Sequence, residues 1–111
     1  MPKNAPSLDL VRQLVLMLPE TEESTIHGAP SWRLRSKLLT CPAIHKSAEP
    51  HSLLVKIDPD ERSRLLLTEP DTYYMTDHYL NHSVVLVRLS SIDRKALQAL
   101  LKKAWQFVSE T

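Results

Sequence analysis

Gly28 is the only glycine among 111 residues, whereas prolines number eight. Glycine enters the left-handed backbone region without steric penalty, and two-residue hairpin turns demand that region. A chain with one glycine must make its other turns with L-residues held at positive φ, or with longer loops. The same scarcity excludes a glycine-rich phosphate loop and a Gly-x-Ser-x-Gly nucleophile elbow.

Hydrophobic spacing divides the chain into short elements. Residues 1–6 read as a disordered tail and 7–111 as a single domain. Ser7 can cap a first helix whose apolar stripe is Leu8, Val11, Leu14, Val15 and Leu18, ended by Pro19. An acidic connector, Glu20-Thr21-Glu22-Glu23, leads into a short extended piece ending at Gly28. Trp32, Leu34 and the run Leu38 to Cys41 read as strand. In one continuous strand Arg33, Arg35 and Lys37 would share a face. In a hairpin only Arg33 stays on the sheet while Arg35 and Lys37 crown the turn, and this is the reading adopted here, although Ser36 is a poor residue for positive φ.

Pro42 to Pro50 reads as an irregular polar loop. Leu53, Val55 and Ile57 alternate as a strand, and Asp58-Pro59-Asp60-Glu61 is a helix start with Asp58 as cap and Glu61 closing a capping box. That helix ends near Thr68. Tyr73 to Thr76 is a short strand, Asp77 to Ser83 a loop, and Val84 to Leu89 a strong strand. Ser91 or Asp93 caps a last helix with Leu97, Leu100, Leu101, Ala104 and Val108 on one face. The order predicts an α+β domain: an antiparallel sheet of about five strands with helices packed on one face.

Fourteen Lys and Arg oppose thirteen Asp and Glu, a formal net charge of +1. Such a balance argues against a histone-like binder, so any attraction to a polyanion must come from a local patch. Cys41 is the single cysteine, so no internal disulfide is expected. The first residues lack the apolar run of a signal peptide, and no stretch approaches the roughly 18 apolar residues of a membrane span. A cytoplasmic protein is the expectation, with no membrane partner.

The motifs Gly28-x-Pro30-x-Trp32-Arg33-Leu34-x-x-Lys37, Lys56-Ile57-Asp58-Pro59, Thr76-x-His78-Tyr79, Val85-Leu86-Val87-Arg88-Leu89 and Ala104-Trp105 resemble the MmcQ/YjbR-like family nearly end to end. The resemblance implies a frataxin-like (CyaY-like) topology and a candidate DNA-binding role. The chain departs from the family pattern at Ser36, where Gly is usual, at Ser83, where Pro is usual, and at Leu39 and Val84, where aromatics are usual. Frataxin-type iron sites use an acidic helix ridge. The first helix here carries only Asp9, so that function is not carried over.

Three readings follow for function. The leading one is a non-enzymatic nucleic-acid-binding module for duplex DNA, with phosphate contacts from Arg33, Arg35, Lys37, Lys56 and Arg88 on a basic sheet face. The competing account of those cations is that they are solvated strand residues paired with Glu20, Glu22 or Glu23. Trp32, His78 and Tyr79 are candidate ligand or stacking contacts, although a tryptophan between Pro30 and Leu34 equally suits a core anchor. The second reading is a small-molecule binder using the cleft between the Gly28–Pro30 turn and the 77–83 loop. The third is a protein-interaction module using a strand edge.

No catalytic residue, cofactor or metal is assigned. Cys41 sits in a strand without a helix N-terminus to activate it. Cys41, His45 and His51, or His78 and His82, lack the paired spacing of structural zinc ligands.

Overall fold

The computed structural model describes residues 7–111; the expected tail over 1–6 lies outside the described residues. Helix α1 (Leu8–Leu16) starts where Ser7 Oγ accepts from the Leu10 amide at 3.3 Å. It stops short of Leu18. The Thr21 hydroxyl donates to the carbonyls of Val15 (2.8 Å) and Leu18 (2.9 Å), satisfying acceptors that a helix end leaves open.

The acidic stretch after Pro19 is more than a connector. It forms a complete edge strand, β1 (Thr21–Ile26), hydrogen-bonded along its length to β2 (Ala29–Leu34). Its side chains are mostly exposed, so it lacks the apolar alternation by which a strand is read from sequence. The described residues consequently form six strands rather than about five. The others are β3 (Lys37–Pro42), β4 (Ser52–Lys56), β5 (Tyr73–Tyr74) and β6 (Val84–Arg88). All pair antiparallel, in the order β1-β2-β3-β4-β6-β5.

The glycine shortage is met by L-residues in the left-handed region. Pairing of Ile26 with Ala29 and of Leu34 with Lys37 closes two hairpins through two-residue loops. Both central residues have positive φ in each: His27 (52°) with Gly28 (80°), and Arg35 (50°) with Ser36 (71°). This is the primed-turn geometry that matches strand twist. Glu20 (φ 62°) and His51 (φ 60°) take the same conformation just before β1 and β4.

Helix α2 (Pro59–Thr68) begins as expected, with Asp58 accepting from the Asp60 amide at 2.8 Å and Pro59 in the first turn. Glu61 does not close a capping box. It instead accepts from Arg64 and from Lys103 of helix α3 (Arg94–Ser109), and these cations hold its carboxyl down at about 2. Asp93, rather than Ser91, caps α3 by accepting from the Ala96 amide at 2.7 Å.

The helices cover one face of the sheet. Val11, Val15, Trp32, Leu34, Leu53, Val55, Val85, Val87, Leu97 and Leu101 make one continuous core there. The opposite face, expected to carry a basic patch, is in part apolar and covered. Leu54, Tyr79, Val84 and Leu86 form a second apolar cluster, with Ala43 and Ala48 packed against it. The segment after β3 and the 3₁₀ turn Asp77–Tyr79 therefore act as a lid over the half of the sheet that no helix reaches.

Two substitutions test these assignments. Ser36→Gly should raise stability by about 0.5–1 kcal/mol, since a left-handed penalty of roughly 1–2 kcal/mol outweighs the extra chain entropy of glycine. Trp32→Ala should lower stability by about 3–5 kcal/mol, as for a large aromatic removed from a close-packed core. Both are read from urea midpoints.

Candidate functional site

Strand register decides which cations can act together. On β2, Trp32 faces the helices and Arg33 the opposite face. There Arg33 pairs with Glu22 on β1 and Leu38 on β3. An extra residue, Leu39, bulges between the Trp32–Thr40 and Arg33–Leu38 pairs. Lys56 lies across β3 at the level of that bulge, because Val55 pairs with Thr40. Lys56 shares the face of Leu54, hence that of Arg33, and their backbone positions are two strand spacings, about 10 Å, apart. Arg33 Nη1 donates to the Ser36 carbonyl at 3.2 Å. Among the described residues neither Arg33 nor Lys56 forms an ion pair.

The other three expected phosphate contacts are placed differently. Lys37 pairs with Leu34, a residue of the helix-side core, and its Nζ donates to the main-chain oxygen of Thr111 just beyond α3. Arg35 crowns the turn as expected but is held by Glu20 through a two-pronged pair, at 2.7 and 2.9 Å. That guanidinium holds the Glu20 carboxyl below its ordinary range.

Arg88 is not beside Arg33. Lys56 pairs with Val84 and Arg88 with Ser52, so the two cations stand at opposite ends of the β4–β6 ladder, about 13 Å apart along the strands. Arg88 grips Glu49 at 2.9 and 2.8 Å, donates to the carbonyls of Pro70 (3.0 Å) and Asp71 (3.3 Å), and lies 4.4 Å from the centre of the Tyr74 ring. Four of its five N–H donors are thereby engaged within the fold, and its charge is paired with Glu49.

The aromatic candidates are likewise redistributed. Trp32 has no exposed surface, so it cannot stack on a base. Its indole N–H donates to Glu23 at 2.9 Å, and Glu23 also accepts from Arg12 on α1. Tyr79 is 8% exposed and walls the second cluster, its hydroxyl accepting from the His45 amide at 3.4 Å. His78 is not bonded to Thr76 or Asp77. Its ring stacks on that of His45, centroids 3.4 Å apart and planes 6° from parallel.

Burial, His78 and Lys46 together push the His45 imidazole below its usual pKa. Parallel rings direct their in-plane lone pairs side by side rather than onto one ion. Among the described residues no three His, Cys, Asp or Glu side chains gather around one point.

Beside Tyr79 lies a small cleft of about 90 Å³, walled by Ile26, Pro30, Cys41, Ile44 and Leu54 among others. It falls between the Gly28–Pro30 turn and the 3₁₀ turn, where a ligand cleft was expected, but neither Trp32 nor Arg33 lines it. An apolar cavity of about 150 Å³ is the size that takes up benzene, so the closed cleft admits only a few atoms. Burial pushes the Cys41 thiol up to about 11, against a smaller opposing effect of the Arg33 charge. At neutral pH Cys41 is thus a thiol and a poor nucleophile. Next to it on β2, Ser31 Oγ is buried without a hydrogen-bond partner.

The YjbR family model matches residues 16–107. The chain belongs to the YjbR family. Within reach of that assignment, the uncharacterized protein Rv2570 of Mycobacterium tuberculosis is 29% identical, the match covering 87% of this chain and 84% of that protein. The uncharacterized protein Mb2600 of Mycobacterium bovis matches to the same extent. The fold is shared with Deinococcus radiodurans protein DR2400, a DUF419 domain, at a TM-score of 0.78 and 19% identity over 96% of this chain and 81% of that one. No described helix is long and apolar enough to cross a membrane.

The YjbR motif residues serve two ends: Trp32, Tyr79 and Arg88 build the fold, while Arg33 and Lys56 stay available at its surface. The importance of Glu49 and His45 was hidden in the sequence, since both lie in an irregular segment and act on residues far along the chain. Arg88→Ala should lower stability by about 1–2 kcal/mol, after allowance for partial exposure of the pair. Chemical denaturation of the two proteins side by side measures it.

Proposed function

We propose that this YjbR-family protein is a non-enzymatic DNA-binding module whose phosphate contacts are made by Arg33 and Lys56. The observation that carries this reading is their shared position: one face, level with each other across β3, neither spent on a carboxylate. Arg35 at the neighbouring turn is exposed, and phosphate can compete with Glu20 for it. Lys37 and Arg88, committed to Thr111 and Glu49, are dropped from the binding set. Trp32 and Tyr79 are buried and make no base contact. Contacts to phosphates without base-edge contacts give binding that is indifferent to sequence.

The footprint is small, and so is the expected binding. Each neutralised phosphate contributes about 0.9 to the slope of log affinity against log salt. Arg33 and Lys56 alone give about −1.8, and recruitment of Arg35 raises it to about −2.7. The charge balance and Glu22 beside Arg33 work against anything tighter than the nonspecific range of about 10⁻⁴–10⁻⁶ M.

A second reading, an apolar ligand in the cleft beside Tyr79, is supported by that cleft's position but limited by its volume of about 90 Å³.

Titration of a labelled duplex of arbitrary sequence across a salt series tests the proposal. Arg33→Ala and Lys56→Ala should each weaken binding and flatten the slope by about 0.9, whereas Lys37→Ala should leave both unchanged. Absence of binding at the lowest salt, or equal effects of all three substitutions, overturns it.

A further inference from the structure

The lid over the second apolar cluster is fastened by one unusual contact. His45 comes from the irregular segment after β3 and His78 from the 3₁₀ turn, and their rings lie face to face at 3.4 Å. Tyr79 meets both rings edge-on, at 6.1 Å from His45 and 4.8 Å from His78. Around the stack, the Ser47 and Thr76 hydroxyls are 2.9 Å apart, and Ser47 Oγ lies 2.8 Å from His45 Nδ1. The Ser47–Thr76 bond and the His45 amide donating to the Tyr79 hydroxyl at 3.4 Å link the two halves of the lid beside the stack. Beneath it are Leu54, Tyr79 and the cleft walled by Cys41 and Ile44.

We propose that the His45–His78 stack is an acid-sensitive clasp: it holds the 43–48 segment closed while at most one ring is protonated, and releases it when both are. Two imidazolium rings in van der Waals contact repel each other, and stacking no longer compensates. Lys46, on the same segment, adds a further positive charge. From the 3₁₀ turn the facing groups are His78, the Tyr79 phenol and, next in the chain, the Asp77 carboxylate. Among the described residues no carboxylate is hydrogen-bonded to either ring to absorb a second proton, and Glu49 is engaged by Arg88. His45 is already disposed to stay neutral, through burial first and the charges of His78 and Lys46 second.

A histidine whose pKa is depressed by folding stabilises the closed form above its unfolded value of about 6.5, and that contribution is lost as pH falls through the folded value. Opening separates Ile44 from Tyr79 and enlarges the cleft. The device is independent of whether the sheet face binds DNA.

Cys41, the single cysteine and a wall of the cleft, is the built-in probe. Its reaction with a dithiodipyridine, which modifies thiols in acid, is followed from about pH 7.5 to about pH 5. Rates are normalised to urea-unfolded protein at each pH. The normalised rate should rise as pH falls, by up to about tenfold per pH unit for one extra proton taken up on opening. Circular dichroism should stay constant over the same range.

His78→Gln, which cannot charge, should abolish the rise. Equal protection at all pH values, an undiminished rise in His78→Gln, or a rise that coincides with loss of secondary structure each overturns the clasp. A titration of the ring protons by NMR gives a measurement without substitution. The His45 imidazole should titrate clearly below about 6.5, and an ordinary value for it refutes the proposal.

Discussion

Pairing of β4 with β6 is the contact on which the other elements depend. Its five residue pairs run from Ser52–Arg88 to Lys56–Val84. Leu53, Val55, Val85 and Val87 feed the helix-side core, while Leu54, Val84 and Leu86 feed the second cluster. In a strand pair that is apolar on both faces, sliding by one residue does not move a polar side chain into the core, so hydrophobic pattern alone sets register weakly. The ends do the work instead. Arg88 reaches Glu49 and the carbonyls of Pro70 and Asp71, and Tyr74 is bonded to Ser52 and to the Glu49 amide. A cation that looks like a binding residue is thus the pin that fixes the centre of the sheet.

The same logic sorts the remaining cations. Arg12 joins α1 to β1 through Glu23, which also receives the Trp32 indole. Arg64 and Lys103 converge on Glu61 to join α2 to α3. A near-neutral chain thereby spends many of its positive charges internally. The pair left on the sheet face is notable because its neighbours are so well partnered. Arg33 and Lys56 owe their availability to strand order, since β3 between them contributes only Leu38 and the bulge.

The lid makes the sheet two-faced. The three helices bury one side of the sheet, and Leu54, Val84 and Leu86 on the opposite side need cover from irregular chain. Residues 43–48 and the 3₁₀ turn supply the cover. Irregular cover lacks a hydrogen-bonded ladder and is held by a few side-chain contacts, the His45–His78 stack foremost among them. Local opening is accordingly easier there than anywhere in the helix-side core.

Much of this is legible in the sequence. The 3.6-residue stripes of the first and last helices, the Asp58-Pro59 start and the Val84 strand all follow from local chemistry, because each is decided within a few residues. The α+β class and the burial of Leu53, Val55, Val85 and Val87 follow from the order and alternation of those elements. Strand β1 is legible only as a short extended piece ending at Gly28, because its side chains are solvated, and pairing with β2 makes the whole of Thr21–Ile26 a strand. The fates of Arg33 and Arg88 could not be separated from sequence, since both stand in apolar runs. Arg88 meets a carboxylate 39 residues away, whereas Arg33 meets none. Likewise, His45 and His78 become a pair only when two irregular segments close over the same face. Local sequence determines which elements form and which face of each is apolar. The long-range register and the covering of the second face decide which polar groups are consumed by the fold and which remain at its surface.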